Sequence, residues 1–281
     1  MSELRAIILG CGSSGGVPRP GGEDGRGIWG TCDPKEPKNR RLRCSLLVQR
    51  AHPEHGWGTQ ELTSVLVDTS PDFNAQMLNA RCNRLDGVLY THDHADQSHG
   101  IDDLRIIAMT MMRRVPVWLD EATAGSLLTR FAYCFEQQKG SPYPAILERH
   151  DMPDCGTNFE IDGPSGPIAI EPFLQHHGSV DSLGFIFGAD QKIAYSSDVK
   201  ALPGESLQAL QNCSTWIVDA LRRQEHPSHA HLDLSLEWIA QTKPERAVLT
   251  NLHIDMDYQT LCEELPAHIR PAYDGLVVYG A

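Results

Sequence analysis

The sequence predicts a layered α/β protein, and three observations carry that prediction. Short apolar runs bounded by turn residues recur along the whole chain. Helix-like stretches fall between them in both halves, as expected where helices cover packed sheets. No repeat, low-complexity tract or linker divides the sequence, so residues 1–281 are expected to form one domain. Strands are predicted at 5–9, 45–48, 64–67, 87–90, 117–119, 168–173, 184–187, 192–195, 215–219, 247–250 and 276–279. Helices are predicted at 73–80 after Ser70-Pro71-Asp72, at 122–138 from apolar spacing, and at 234–241 with Asp233 as a cap. The Gly/Pro-rich stretch 10–37 reads as a long loop, and loops of that length in compact domains are commonly functional.

Composition narrows the function classes. Hydrophobic content of 41% and charged content of 22% are those of an ordinary globular chain. No apolar run approaches the ~18 residues that would suggest a membrane span. The opening Met-Ser-Glu-Leu-Arg-Ala-Ile-Ile-Leu-Gly has too short an apolar core for a signal peptide and reads as a first strand, which places the protein in the cytoplasm. The 8 cysteines show no Cys-x-x-Cys spacing, so most are expected to be free thiols rather than a zinc ribbon or redox pair. A net charge of −13 repels polyanions and argues against general nucleic-acid binding. The basic cluster Arg40, Arg41 and Arg43 leaves a small anionic substrate open.

The 13 histidines are grouped rather than scattered. His92, His94 and Asp96 follow the predicted strand 87–90, and residues two apart in extended chain point to one side. Two imidazoles and a carboxylate suit zinc, manganese or iron. His176-His177-Gly178 follows the strand at 168–173, Asp198 follows 192–195, and His253 follows 247–250. Four strand ends thus present side chains of metal-ligand type.

This order of strand-His-x-His-x-Asp, then a His, an Asp and a last His, resembles the metallo-β-lactamase superfamily over nearly the whole chain. The resemblance implies a four-layered αβ/βα sandwich with two divalent metal ions at one edge of the sheets. It would give His92, His94 and His177 to the first ion and Asp96 and His253 to the second, with Asp198 bridging. His176 competes with His177, which is preferred because His-Gly followed by Ser182-Leu183-Gly184-Phe185 is closer to the family pattern. Asp68, in Val-Leu-Val-Asp-Thr, resembles an Asp that supports the ligands from behind. One position departs from the pattern: the family motif continues with His where this chain has Gln97. An amide oxygen is a weaker ligand than imidazole. The second site is then looser, or uses Gln97 through a water, or recruits a nearby group such as His99.

The opening Ile-Leu-Gly-Cys-Gly-Ser-Ser-Gly-Gly-Val-Pro, with Asn39-Arg40-Arg41-Leu42-Arg43-Cys44-Ser45, resembles the phosphodiesterase branch. That branch contains ribonuclease Z and the cyclic-phosphate phosphodiesterase of the carbon–phosphorus lyase pathway. Backbone N–H groups of a glycine-rich turn and guanidinium forks both hold anionic oxygens. Ser13, Ser14, Arg40, Arg41 and Arg43 are therefore candidate substrate contacts. In His226-Pro-Ser-His229-Ala-His231-Leu-Asp-Leu, His231 matches the position of the branch's catalytic histidine and would protonate the leaving oxygen. His229 would contact phosphate, and Asp96 would serve catalysis as well as the metal. Beyond Cys11 of the opening motif only Cys32 lies in the N-terminal loop, so the branch's structural zinc is not expected, and no insertion suited to gripping transfer RNA is present. The branch also implies a homodimer.

The expected activity is metal-dependent hydrolysis of a small phosphate ester, with a cyclic phosphate of a nucleotide or ribose as the expected substrate. Hydrolysis of a lactone, lactam or thioester on the same centre is the alternative within the enzymes. A non-catalytic carrier resembling the protein B of pyrroloquinoline quinone biosynthesis is the alternative outside them.

Overall fold

Strands covered on both faces read as continuous apolar runs, and most strands here do so. The computed structural model describes residues 3–59 and 61–280. The first sheet holds β1 (Leu4–Gly10), β2 (Ser45–Arg50), β3 (Thr63–Val67), β4 (Gly87–Leu89), β5 (Val115–Leu119) and β6 (Leu147–Asp151). The second holds β7 (Phe159–Ile161), β8 (Ile168–His177), β9 (Val180–Phe187), β10 (Ile193–Ser196), β11 (Thr215–Asp219), β12 (Arg246–Thr250) and β13 (Ile269–Pro271). The chain then returns to the first sheet as β14 (Val277–Tyr279), giving the orders β14-β1-β2-β3-β4-β5-β6 and β13-β12-β11-β10-β9-β8-β7.

Side-chain parity builds the layers. Ala6 and Ile8 of β1 join Val65 and Val67 of β3 between the sheets, where they meet Phe185, Tyr195, Ile217 and Val248. Ile7, Leu9 and Leu66 point the other way, under α1 (Phe73–Ala80), beyond the short α2 (Ala95–Ser98), and under α3 (Leu104–Met111), α4 (Glu121–Arg130) and α5 (Ala132–Phe135). On the far side, Trp216, Val218 and Leu249 pack with α7 (Leu232–Thr242) and α8 (Tyr258–Glu264), and α6 (Gly204–Ala209) lies against the same layer. The result is a four-layered αβ/βα sandwich.

Strand direction decides where the site can be. β3 to β6 run parallel, as do β10 to β13, and β8 shares the direction of β10 through two antiparallel pairings. The carboxyl ends of β3, β4, β8, β10, β11 and β12 therefore open on one edge, the usual place for ligands in sheets of this kind.

Several elements lie outside the sequence expectation. β6, β7 and β13 are edge strands, where one-sided pairing leaves a weak apolar signal. The expected helix at 122–138 is two helices, α4 and α5, divided at Phe131 (φ −127°, ψ 34°). Asp233 is not the cap of α7; it sits in the first turn, and His231 occupies the cap position without a side-chain capping bond. All eight cysteines are free thiols and five are buried. Among the described residues no helix is long and apolar enough to cross a membrane.

The glycine-rich loop is tied to the segment after β12. Gly12 bridges to both Arg43 and Leu252, and Thr31 N–H donates to Ile254 O at 2.9 Å. Asp257 clamps this arrangement: it caps α8 through Thr260 N–H (2.9 Å) and accepts from Asp33 N–H (3.1 Å) and Asn39 Nδ2 (2.6 Å). Burial works to raise its carboxyl, but the Thr260 and Asp33 N–H groups and Asn39 outweigh it and hold the group down at about 2. Replacing Asp257 with Ala should cost about 1–2 kcal/mol, the range for a lost helix cap. Because the folded value lies below the ordinary carboxylate one, this contribution is present above pH ~4 and is lost as pH falls toward 2. Denaturant titrations of both proteins from pH 7 downward check this: the gap between them should narrow below pH ~4.

Candidate metal centre

Three strands end in a left-handed residue at the shared edge: Asp68 (φ 61°) after β3, Asp198 (φ 51°) shortly after β10, and Asn251 (φ 60°) after β12. Non-glycine residues adopt this region uncommonly, with Asp and Asn favoured. The turn each one makes lets the chain leave the sheet while its polar side chain stays at the edge.

The centre is built from imidazoles. His92, His94 and His177 present ligand nitrogens within 4.8 Å of one another, and their rings pack edge to face at 4.5–5.2 Å. His177 is buried at the end of β8, and its Nδ1 hydrogen-bonds Ser228 O at 2.6 Å. Its Nε2 is thereby turned toward Asp198 Oδ1, 4.0 Å away. His92 is held likewise: Thr91 Oγ1 donates to Asp68 Oδ2 (2.9 Å) and accepts from His92 Nδ1 (2.9 Å). That leaves His92 Nε2 buried without a protein partner. Burial pushes His92 down to about 4, so the ring is neutral and its lone pair free. Fixing one ring nitrogen so that the other faces a cation is the usual support for a metal-ligating histidine. An orphaned buried nitrogen inside a group of three imidazoles and a carboxylate fits a divalent ion.

Beside this group lies a second, formed by His177, Asp198 and His229. His229 packs against His177 at 4.5 Å and places Nδ1 2.9 Å from Asp219 Oδ2 and 3.8 Å from Asp198 Oδ1. Burial disfavours the charged His229 ring, but Asp219, then Asp198 and Asp96, overcome it and lift the group to about 9. Burial would raise the Asp198 carboxyl; His229, His92, His177 and His94 reverse the direction and hold it ionised. Asp96 moves up to about 6, from burial and then the Asp198 charge. Burial also raises Asp68 well above the usual carboxylate range.

The structure sorts the residues singled out in the sequence. It brings His92, His94, His177 and Asp198 together and places Asp68 behind them. His176 is exposed and paired with Asp181 at 2.7 Å, so His177 is the residue facing the group. Three of the expected residues stand differently from the others. His253 is not in either ligand group; its Nδ1 is bonded to Asp255 Oδ1 at 2.8 Å, and β12 ends three residues earlier, so that Asn251 takes the turn at the edge. Arg41 is not available to a substrate: it is 2% exposed, with Nη2 on Met256 O (2.7 Å) and Asn39 Oδ1 (3.2 Å). His229, rather than His231, packs into the imidazole cluster, since the chain at His231 is already starting α7. Asp219 and Asn251 were missed. Asp219 closes a fully apolar strand, and that strand end was its signal.

Comparison with known proteins agrees with this geometry. Residues 63–254 match the family model for the beta-lactamase superfamily domain. The chain therefore belongs to the beta-lactamase superfamily and has the fold of its metal-dependent hydrolases. Within it, the likeness is to the PhnP family: the crystal structure of a new diphosphatase from that family is 30% identical, with a TM-score of 0.81, over 98% of this chain and 96% of that one. An octanoyltransferase of Porphyromonas gingivalis is 32% identical over 278 residues, which are 97% of this chain and 51% of the relative. The chain thus spans about half the length of that curated relative. Zn(2+)-bound PqqB of Methylobacterium extorquens shares the fold at 14% identity, with a TM-score of 0.73 over 98% of this chain and 99% of that one.

The Asp68–Thr91–His92 relay yields a direct test. Thr91→Val removes the hydroxyl and frees the His92 ring while Thr91 N–H stays on Asp68 Oδ1. Metal affinity should fall roughly 10–100-fold, the usual effect of losing such support. Competition titration with a chromogenic chelator reads it; unchanged affinity would show that the relay does not orient the ring.

Proposed function

We propose that this hydrolase cleaves a phosphodiester or diphosphate bond in a small molecule, with nucleotide or ribose phosphates, cyclic ones included, as its substrates. The observation that carries the reading is the position of the imidazole–carboxylate centre beside the glycine-rich loop. Ser13 N–H reaches Leu252 O at 3.3 Å, one residue from Asn251 at the edge of the centre. Gly12 lies so close to Arg41 and Leu42 that an added Cβ would meet their carbonyl oxygens at 3.0 Å, a contact that would push the neighbouring chain back by a few tenths of an ångström. The 30% identical diphosphatase supports the same substrate chemistry.

A divalent ion bound here, zinc or manganese by the donor set, would lower the pKa of a water and offset charge on phosphate oxygens. The chain's own residues supply the rest. Ser228 O and the Asp68–Thr91 relay fix the imidazoles. Asp96, beside Asp198, is a carboxylate lifted to about 6 and is suited to taking up a proton near neutral pH. His229, held by Asp219, takes the role of proton donor to the leaving oxygen. The buried Ser13 hydroxyl has no protein partner, and Ser14 beside it is exposed. Arg43 is aligned by Asp72 (3.0 Å), and the exposed Arg40 lies over the Trp29 ring at 5.1 Å. These two guanidiniums, without Arg41, are the proposed phosphate contacts.

A second reading has one observation behind it: the curated relative is an octanoyltransferase, a name that speaks of acyl chemistry. Assays of bis-p-nitrophenyl phosphate and p-nitrophenyl octanoate on one metal-loaded sample separate the two. Phosphodiester turnover, abolished by chelator and restored by metal, is expected. Faster turnover of the ester would replace the phosphodiester reading with the acyl one.

The two histidines are separable as well. His229→Ala should lower kcat by roughly 10²–10⁴-fold, the range for a lost general acid, while His231→Ala should change it far less. The reverse order of losses, with metal content equal in both variants, would give the proton-donor role to His231.

A further inference from the structure

We infer that the centre holds one divalent ion rather than two, because the side-chain amides of Gln97 and Asn251 close the second position. This rests on the metal centre of the hydrolase reading but not on its substrate.

Ligand spacing carries the argument. Donor atoms ~2.0–2.2 Å from a tetrahedral ion stand roughly 3.4 Å apart, whereas directly bonded donors and acceptors stand ~2.7–3.0 Å apart. His177 Nε2 and Asp198 Oδ1, at 4.0 Å, leave room to close on an ion. The contacts on the other side do not. Gln97 Nε2 donates straight to Asp198 Oδ2 at 2.7 Å, so the carboxylate oxygen that would bridge to a second ion is already taken by an N–H. Turning the Gln97 amide over would set its Oε1 against that oxygen, two acceptors in contact, so the donating orientation is the stable one. His229 Nδ1 meets Asp219 Oδ2 at 2.9 Å, again a direct bond, and Asn251 Nδ2 lies 3.1 Å from the same nitrogen.

Of the remaining ligands expected for a second ion, Asp96 lies near enough to Asp198 and His229 to interact with their charges, but neither it nor His253 joins a group of ligand atoms within 4.8 Å of one another. His253 stands three residues beyond the end of β12, with its Nδ1 on Asp255 Oδ1 at 2.8 Å, whereas Asn251 occupies the turn at the edge. Among the described residues, the two ligand groups are His92-His94-His177 and His177-Asp198-His229, and neither includes Asp96 or His253. The two groups share His177, whose Nδ1 is spent on Ser228 O. One free nitrogen serves one ion, so the groups are overlapping views of one site. Gln97 is fully buried and Asn251 is 2% exposed, which makes the two amides part of the packed edge rather than loose surface groups.

The test is metal stoichiometry. The purified chain is loaded with excess zinc or manganese, dialysed, and its metal measured by mass spectrometry against protein concentration. One equivalent per chain is expected, with His177→Ala reduced well below that. The Gln97→His/Asn251→His double variant should take up a second equivalent, and its manganese form should change from an isolated-ion resonance to that of a coupled pair. Two equivalents retained by the unaltered chain would overturn the inference, whatever the variant does. A folded double variant that still holds one equivalent would overturn the part given to the two amides. Absence of turnover with one ion bound would instead count against the phosphodiester reading and leave the stoichiometry standing.

Discussion

Asp198 is 3% exposed, and a carboxylate that deep is costly to ionise unless charge and hydrogen bonds surround it. Here they do. Four imidazoles approach it, Gln97 donates to one of its oxygens, and Ser182 Oγ bonds its carbonyl. The functional edge is arranged around that one charge. His177 and His92 have their Nδ1 atoms anchored on Ser228 and Thr91, and His229 Nδ1 stands between Asp219 and Asp198, so that what faces Asp198 is set by the groups that hold the rings. Removing a ring would leave the carboxylate short of compensation, which ties the centre to the stability of the edge as well as to its chemistry.

The sandwich explains why such a charge can exist only at this place. Both faces of both sheets are covered, so polar side chains within the strands would be buried without partners. The strands accordingly carry Val, Leu, Ile and Phe through their length, and polar residues collect where they stop. Parallel direction then gathers those stops on one side. The left-handed turns at Asp68, Asp198 and Asn251 complete the device by holding a polar side chain at the edge while the backbone turns away.

The same frame accommodates different fillings. PqqB shares the fold at 14% identity, which speaks of architecture alone. The diphosphatase of the PhnP family shares the fold at 30% identity over 96% of its own length. Within that frame this chain sets two buried amides, Gln97 and Asn251, at the functional edge. Gln97 donates to the Asp198 carboxylate and the Asn251 amide faces the His229 imidazole, so both amides are packed into the edge itself. The Porphyromonas gingivalis relative is about twice as long as the match, and its name describes the whole of it.

Much of this was legible in the chain itself. Apolar strands and their ends are local patterns, so the layered class, His92 and His94 after β4, His177 after β8 and Asp198 after β10 could be read without coordinates. Asp68 was legible for the same reason. What the sequence could not reveal depends on which ends meet and where each strand stops. His253 looked like the last ligand because it follows an apolar run, yet the run ends at Thr250 and the turn belongs to Asn251. Arg41 looked like a phosphate contact because a basic cluster normally faces water, but packing of the N-terminal loop buries it on Met256 O. His229 and His231 are alike in sequence; the start of α7 separates them. The sequence by itself determined the architecture and the stock of ligands, since these follow from hydrophobic period and residue type. Only the tertiary structure decided which of those ligands meet, because a metal centre is a matter of distances between strand ends that lie far apart along the chain.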